Sequence, residues 1–587
     1  MQTKEMALAV LISLSLVSGT AYFLVSDEEA VLSEDVVVLE DPLIQEEGHD
    51  HMDASMHNMS SGNIEQISYN PLTNGGNAEV TVADSPDGRT YAYQAGWSEF
   101  HITDVTDPYN TTVMGKYTDP NTQLLDIKYL EFSGREYVIL QNQLVDPGYA
   151  DPQVGEWGDP TQVSVVLVDV TDKTNPVWVD SWYDSDHPSG PHNLYTHMID
   201  NEWYIFVANP DYEGCDIAVG EACGGVTIAH LNLQGSAART LEGVPGSGYG
   251  HTVIKVGEYE VAWETTRGGW IYIHDMTVQT WPGDDPNDPR FGKTYVYGAY
   301  WEAGLRIFDV SDVPHPTNTP LEYGFIAGGC VVTIGTQLGC NWRAPEVGLW
   351  MEYADLDGDG SPDSGYNGNE NGGRASYIHY AEPVDEMVDA SHLGYPEGEM
   401  HLTILSTEVL ETSVGTGMSY LLDTTKYEEV NGQVRFLPEL IYDYEIPFAE
   451  DHFIPGGEEW LLFSPHNADT QIFSKTCDFQ DTSHGGTWDG RIYLSSYHAG
   501  LWIVDIESLM MAGLEDGNST DAYFDATVGY HLPHGADGQP LESAFYDFGW
   551  TPFLWAAEYH EGYTYLSCIT SGLYIVQLDI DAPYATR

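Results

Sequence analysis

The sequence predicts an all-β chain folded as a single β-propeller of seven or eight four-stranded blades, preceded by an N-terminal signal or anchor and a disordered acidic stalk. Three observations carry this expectation. A short phrase recurs along the chain: an aliphatic strand, closed by Asp and Ser/Thr-Asp, then a proline turn. Short strands follow one another in a regular rhythm from about residue 77 onward. Among 587 residues, 39 Tyr and 60 Gly suit strands and tight turns better than helices.

The fullest copy of the phrase runs from Leu305 to Asp312, followed by Pro314 and Pro316. Near-copies run from Phe100 to Pro108 and from Val165 to Asp172, the latter followed by Asn175-Pro176. Shorter forms are Leu501–Ile506, Trp270–Asp275 and Leu573–Leu578. A repeat of this kind implies units that are not stable alone and bury their faces against each other. Alternation in Leu-x-Ile-x puts aliphatic side chains on the two faces of a strand, where neighbouring blades cover them. The following Asp and Ser/Thr bond to backbone amides of the turn, so the repeated Asp is expected to be structural rather than catalytic.

The phrase resembles the LVIVP repeat of extracellular bacterial and archaeal propeller proteins, best at 100–108, 165–176 and 305–316 and weakly at 501–506 and 573–578. That resemblance implies a propeller and little about activity. Between about 330 and 500 the chain departs from the pattern.

Taken in order, the chain opens with an apolar run, Met6–Val25, preceded by Lys4 and followed by Asp27, Glu28 and Glu29. Residues 1–25 therefore predict a signal peptide or membrane anchor, with the bulk of the chain extracytoplasmic, secreted or held at the cell surface. Residues 26–70 have no Lys or Arg and no apolar period, which predicts a disordered stalk. Within it lie His49, His51, Met52, Met56, His57 and Met59, a mix of imidazole and thioether ligands suited to copper. That tract resembles the Met/His-rich tracts of periplasmic copper-handling proteins.

The propeller is expected over 71–583. Units such as Pro191–Tyr195, Glu202–Val207 and Gly225–Ile228 supply three strands each, and so do Gly250–Ile254, Tyr259–Trp263 and Gly269–Ile273. The final unit is Thr551–Ala556, Tyr563–Ser567 and Leu573–Leu578. Helix is scarce, with Glu382–His392 and Ile506–Leu514 as the two candidates. An insertion at about 327–376 contains Asp355, Asp357, Asp359, Ser361 and Asp363, with Gly360 at the sixth position of the loop. Oxygen ligands at that spacing wrap a hard cation, which predicts structural calcium. The loop resembles the calcium loops of EF-hands and thrombospondin-type repeats, but Tyr366 stands where an EF-hand has Glu.

His192, His251, His466 and His484 fall at or near the starts of expected innermost strands, with His197 and His379 as further candidates. Histidines at equivalent places in several blades would ring one mouth of the channel and hold zinc or copper. The arrangement is similar to the copper-binding propellers of the selenium-binding-protein and methanethiol-oxidase type, whose full motifs are absent here. Cys215 with Cys223, and Cys330 with Cys340, are close pairs that suggest local disulfides, leaving Cys477 and Cys568 to pair or stay free.

Nineteen basic against 92 acidic residues give a formal charge of −73. Such a surface repels nucleic acid, and contact with membrane is expected only through the N-terminal segment. The leading expectation is a binding or scaffold module for a protein, glycan or small-molecule ligand, and not an enzyme. Its rivals are a copper- or zinc-dependent enzyme with a histidine ring and a copper-handling surface protein. No nucleophile elbow or isolated carboxylate pair marks another chemistry.

Overall fold

A computed structural model describes residues 60–72, 76–143, 164–182, 191–209, 225–231, 233, 253–259, 261, 272–301, 303–314, 325–327, 330–332, 342–351, 377–396, 398–408, 417–447, 464–474, 488–514, 520–535 and 552–579. The strands form seven blades of antiparallel sheet. Blade 1 spans Asn77–Gln123, blade 2 Ile127–Trp182, blade 3 Asn193–Tyr259 and blade 4 Asp275–Trp350. Blade 5 spans Ile378–Tyr444, blade 6 Ala468–His531 and blade 7 Leu554–Leu578. In blade 1 the second and third strands run together as Thr90–Asp104, whose first half pairs Asn77–Asp84 and whose second half pairs Thr112–Gln123.

Closure comes from the N-terminal side. Ile64–Pro71 pairs antiparallel with Gly572–Leu578 and so becomes the outermost strand of blade 7. The stalk expected over 26–70 therefore ends earlier than its composition suggested, because the polar strand Ile64-Glu65-Gln66-Ile67 is held by backbone pairing rather than by an apolar period. Stitching the last blade with the first strand leaves no unpaired seam between the chain's two ends.

Seven apolar clusters hold the ring, one at each blade junction. The repeated phrase supplies both sides of them. Leu305 and Ile307 enter the core between blades 4 and 5, while Phe308 and Val310 enter the one between blades 3 and 4. Val165 and Leu167 likewise face blade 3, and Val166 and Val168 face blade 1. Full burial of each such side chain is worth roughly 1.5–3 kcal/mol.

The Asp of the phrase is a turn residue. Asp309 Oδ1 accepts from the Ser311 N–H at 2.9 Å and the Ser311 hydroxyl at 2.5 Å, and that hydroxyl accepts from Thr294 N at 2.9 Å. Asp104 with Thr106 and Asp169 with Thr171 repeat this arrangement. Asp423 with Thr425 adds a copy in blade 5, inside the stretch where the sequence pattern had seemed to lapse.

Three expectations need correction. Val253–Tyr259 is the fourth strand of blade 3 and does not open a new blade. Asp275–Thr280, part of which read as the end of a third strand, is the first strand of blade 4. Glu382–His392 is not a helix: it holds the end of strand Ile378–Pro383, the short strand Val388–Asp389 and a 3-10 turn at Ser391–Leu393, because Pro383 pairs with Thr403 and Val384 N–H donates to Leu402 O. Ile506–Leu514 is helical as expected, and Thr520–Ala526 adds a second short helix.

No helix among the described residues is long and apolar enough to cross a membrane, and 1–25 lie outside them. The stalk ligands His49–Met59 and the loop Asp355–Asp363 also lie outside, as do Cys215, Cys223, Cys340, Cys477 and the side chain of Cys330. Cys568 is a buried free thiol.

Candidate metal centre

The first strands of the seven blades touch one another in a closed ring, so they line the central channel. Four consecutive blades begin these strands with histidine. His192, His274 and His466 donate their backbone N–H to the carbonyls of Ala208, Ala299 and Ser495, at 2.8, 2.9 and 2.8 Å. Asn193 and Asp275 stand opposite the same Ala208 and Ala299. Each histidine is thus an extra residue facing an already paired position, as in a β-bulge. His379 is likewise skipped in register, between the pairs Ile378–Thr407 and Tyr380–Ser406. Bulges re-aim side chains, and here they turn four imidazoles toward a common space.

The rings form an arc. Successive centroid separations from His192 to His274, His379 and His466 are 4.3, 4.1 and 4.0 Å. His192 Nε2 lies 3.0 Å from His274 Nε2. Glu408, just beyond strand Leu402–Thr407, places Oε2 3.7 Å from His274 Nε2 and 3.8 Å from His379 Nε2. Its other oxygen accepts from the Tyr497 hydroxyl. Trp301 stacks on His274, and Trp555 packs on His466.

The polar atoms of this group are not satisfied by protein partners. His274 Nδ1, both nitrogens of His379, His466 Nε2 and Glu408 Oε2 are buried without a hydrogen bond. An unmet buried polar group costs about 1–3 kcal/mol, so five in one place call for an explanation. The outer nitrogens of the two end histidines are already fixed: His466 Nδ1 donates to Trp555 O at 2.7 Å, and His192 Nδ1 bonds Gln143 Oε1 at 2.9 Å. Those bonds leave His466 Nε2 as a buried lone pair without a partner and turn His192 Nε2 to His274 Nε2; holding one ring nitrogen is how proteins orient a metal-ligating imidazole.

Burial keeps the imidazoles neutral. It lowers His192 to about 4 and His466 to about 3, and holds His274 and His379 well below the usual histidine range. Burial also raises Glu408 to about 7, against the bond from Tyr497. Neutral imidazoles beside a carboxylate suit a divalent cation, whose charge would stabilise the ionised carboxylate. A tetrahedral ion with Zn–N of about 2.0–2.1 Å separates its ligand atoms by roughly 3.3 Å. The observed separations of 3.0, 3.7 and 3.8 Å bracket that value. With nitrogen and oxygen donors and no sulfur, the set suits zinc or copper(II).

Of the histidines the sequence pointed to, His192 and His466 are in the arc, and so is His379. His251 and His484 lie outside the described residues. His197 is elsewhere: its Nε2 bonds Thr280 Oγ1 at 3.0 Å. Sequence reasoning missed His274 and Glu408. His274 was hidden because Ile271-Tyr272-Ile273-His274-Asp275 mimics the end of a third strand, although His-Asp-Met there parallels His-Asn-Leu at 192 and His-Asn-Ala at 466. Nothing in the sequence sets Glu408 apart among 92 acidic residues.

Similarity to known proteins bears on the repeat. The chain carries LVIVD repeats: the family model of that name matches residues 89–119 and 293–319, in blades 1 and 4. No curated protein matches the chain. Among solved structures, one similar chain comes from the Chaetomium thermophilum Polycomb Repressive Complex 2 bound to GSK126. It is 7% identical, covers 88% of this chain and 98% of its own, and superposes with a TM-score of 0.41.

Proposed function

We propose that this protein is a metal-dependent β-propeller in which His274, His379 and Glu408 hold one copper or zinc ion, with His192 and His466 flanking them in the arc. The observation that carries the reading is that ligand atoms of His274, His379 and Glu408 lie within 4.8 Å of one another, with both nitrogens of His379 and Glu408 Oε2 buried and unpartnered. The centre reads as functional rather than structural for two reasons. Seven apolar junctions already hold the ring, so a metal adds little that the fold needs. Two aromatic residues against the histidines, Trp301 and Tyr497, also have left-handed backbones, with φ of 45° and 33°. Such strain in bulky residues concentrates at functional sites.

Export of the chain, calcium at Asp355–Asp363 and copper at the stalk belong to the same proposal as secondary parts. They fit an ion held in an extracytoplasmic propeller.

Elemental analysis of the full chain, purified without added metal and with His49, His51 and His57 changed to Ala, tests the reading. Copper or zinc near one per chain is expected, lost in His274→Ala and in His379→Ala and kept in His197→Ala. Calcium alone, or a transition metal that persists in both arc variants, overturns it.

A further inference from the structure

The same inner strands that begin with histidine carry oxygen ligands farther along. One and three residues after His466 come Asn467 and Asp469, and three after His379 comes Glu382. With Glu79 of blade 1, Tyr195 of blade 3 and Glu558 of blade 7, these residues line a channel cavity of about 320 Å³. Each carboxylate accepts a bond from another blade. Glu382 Oε2 accepts from Thr277 Oγ1 and the Tyr380 hydroxyl, both at 2.9 Å. Asp469 accepts from Tyr559 N at 2.6 Å, and Glu558 from Val82 N at 2.8 Å. Asn467 Nδ2 donates to Glu79. Asn467 Oδ1, on a side chain only 7% exposed, has no partner. Lys128 is the one basic residue in the lining, and Asp126 holds its ammonium at 2.9 Å.

We propose that this cavity is a second cation site, distinct from the histidine centre, which takes a hydrated divalent cation of the calcium, magnesium or manganese class. Its walls offer carboxylate and amide oxygens, which hard cations select, whereas imidazoles select transition metals. Four carboxylates face one ammonium, so the cavity lacks positive charge. The volume is that of about ten waters, at roughly 30 Å³ each, too large for a bare ion and suited to one that keeps part of its water shell. Those waters would donate to the carboxylates and to Asn467 Oδ1. Burial raises Glu79 and Asp469 to about 7 and Glu382 to about 8, so the cavity without a cation holds protons in its place.

Terbium is the probe, because it replaces calcium and its emission is sensitised by nearby tyrosines such as Tyr195, Tyr380 and Tyr559. It is titrated into the full chain carrying Asp357→Ala and Asp359→Ala, which removes the insertion loop as a competitor, in molar NaCl to screen the acidic surface. One saturable emission that calcium or manganese displaces is expected, unchanged by His379→Ala. Glu382→Gln with Asp469→Asn should weaken binding at least tenfold, and Lys128→Met should tighten it severalfold. The opposite sign of the lysine variant separates binding from damage to the fold. Absence of saturable emission overturns the proposal. So does equal affinity in the folded carboxylate variant, or unchanged or weaker affinity in Lys128→Met.

Discussion

Blades 3 to 6 and the blade that follows them, blade 7, start their inner strands with the same backbone device but different side chains. Where blades 3 to 6 place His192, His274, His379 and His466, blade 7 skips Trp555 in its register between Leu554–Cys568 and Ala556–Ser567. Blade 2 places Leu125 just before Asp126. Trp555 and Leu125 are buried apolar members of the core between blades 7 and 1. The bulge thus recurs from blade 3 to blade 7, and the residue on it decides whether a blade seals the ring or presents an imidazole to the arc. The histidines consequently sit to one side of the channel, as an arc and not a full circle.

The largest expected effect separates these two uses of one position. His379 lies at the centre of the arc, beside His274, His466 and Glu408. His379→Ala should lower transition-metal affinity by more than a hundredfold, measured by competition with a chelator, while the melting temperature of the metal-free protein changes little. Trp555→Ala should do the reverse. It empties a buried indole from the core and should cost about 3–5 kcal/mol of unfolding free energy with the metal retained. If both variants lose metal and stability together, the division between sealing and ligating blades fails.

A second contrast lies along the channel, between neutral imidazoles at the strand starts and acids farther in. Burial raises Glu382 first of all, helped by Asp469 and Asp385 and opposed by bonds from Thr277 and Tyr380. Its folded-state value of about 8 exceeds the ordinary Glu value near 4.3. The unfolded chain thus loses its proton first. The stabilising contribution is complete below about pH 4 and disappears as pH rises through 7 to 8. Without divalent cations, unfolding free energy should therefore fall by on the order of a few kcal/mol between pH 5 and 9. Glu382→Gln, which mimics the protonated acid, should flatten part of that slope, as denaturant titration at each pH would show. An equal slope in the variant would assign the loss to other groups.

Much of the ring was legible because its signals are local. Leu305–Pro314 announces a strand, its two covered faces and its turn within ten residues, and the turn bonds of Asp309 and Ser311 follow from residue type alone. The phase of blades 3 and 4 was not legible, because Ile271-Tyr272-Ile273 alternates like a third strand although the first strand starts at Asp275. Closure by Ile64–Pro71 was hidden for a related reason, since its pairing partner lies some 500 residues away. Two of the five residues of the candidate site, His192 and His466, could be found from His-Asn dipeptides at strand starts. Glu408 could not, because its role comes from Tyr497 in the next blade and from histidines at the starts of blades 4 and 5.

The smallest effect tests that last dependence. The Tyr497 hydroxyl holds one oxygen of Glu408 and leaves the other facing His274 and His379. Tyr497 keeps a left-handed backbone, and its ring packs 4.8 Å from that of His466. Tyr497→Phe keeps the ring and the backbone but removes the bond that orients the carboxylate. Outer-shell partners of metal ligands are worth about 10–100-fold in affinity. A loss near the lower end, about tenfold, is expected here, because Glu408 would share the ion with the histidines and could still reach it. Glu408→Gln should weaken binding more, and Tyr497→Phe added to it should cost almost nothing further. Additive losses would mean that Tyr497 acts on the centre by some route other than Glu408, through His466 against which it packs, and the arc rather than the carboxylate would then be what the strained turn of blade 6 serves.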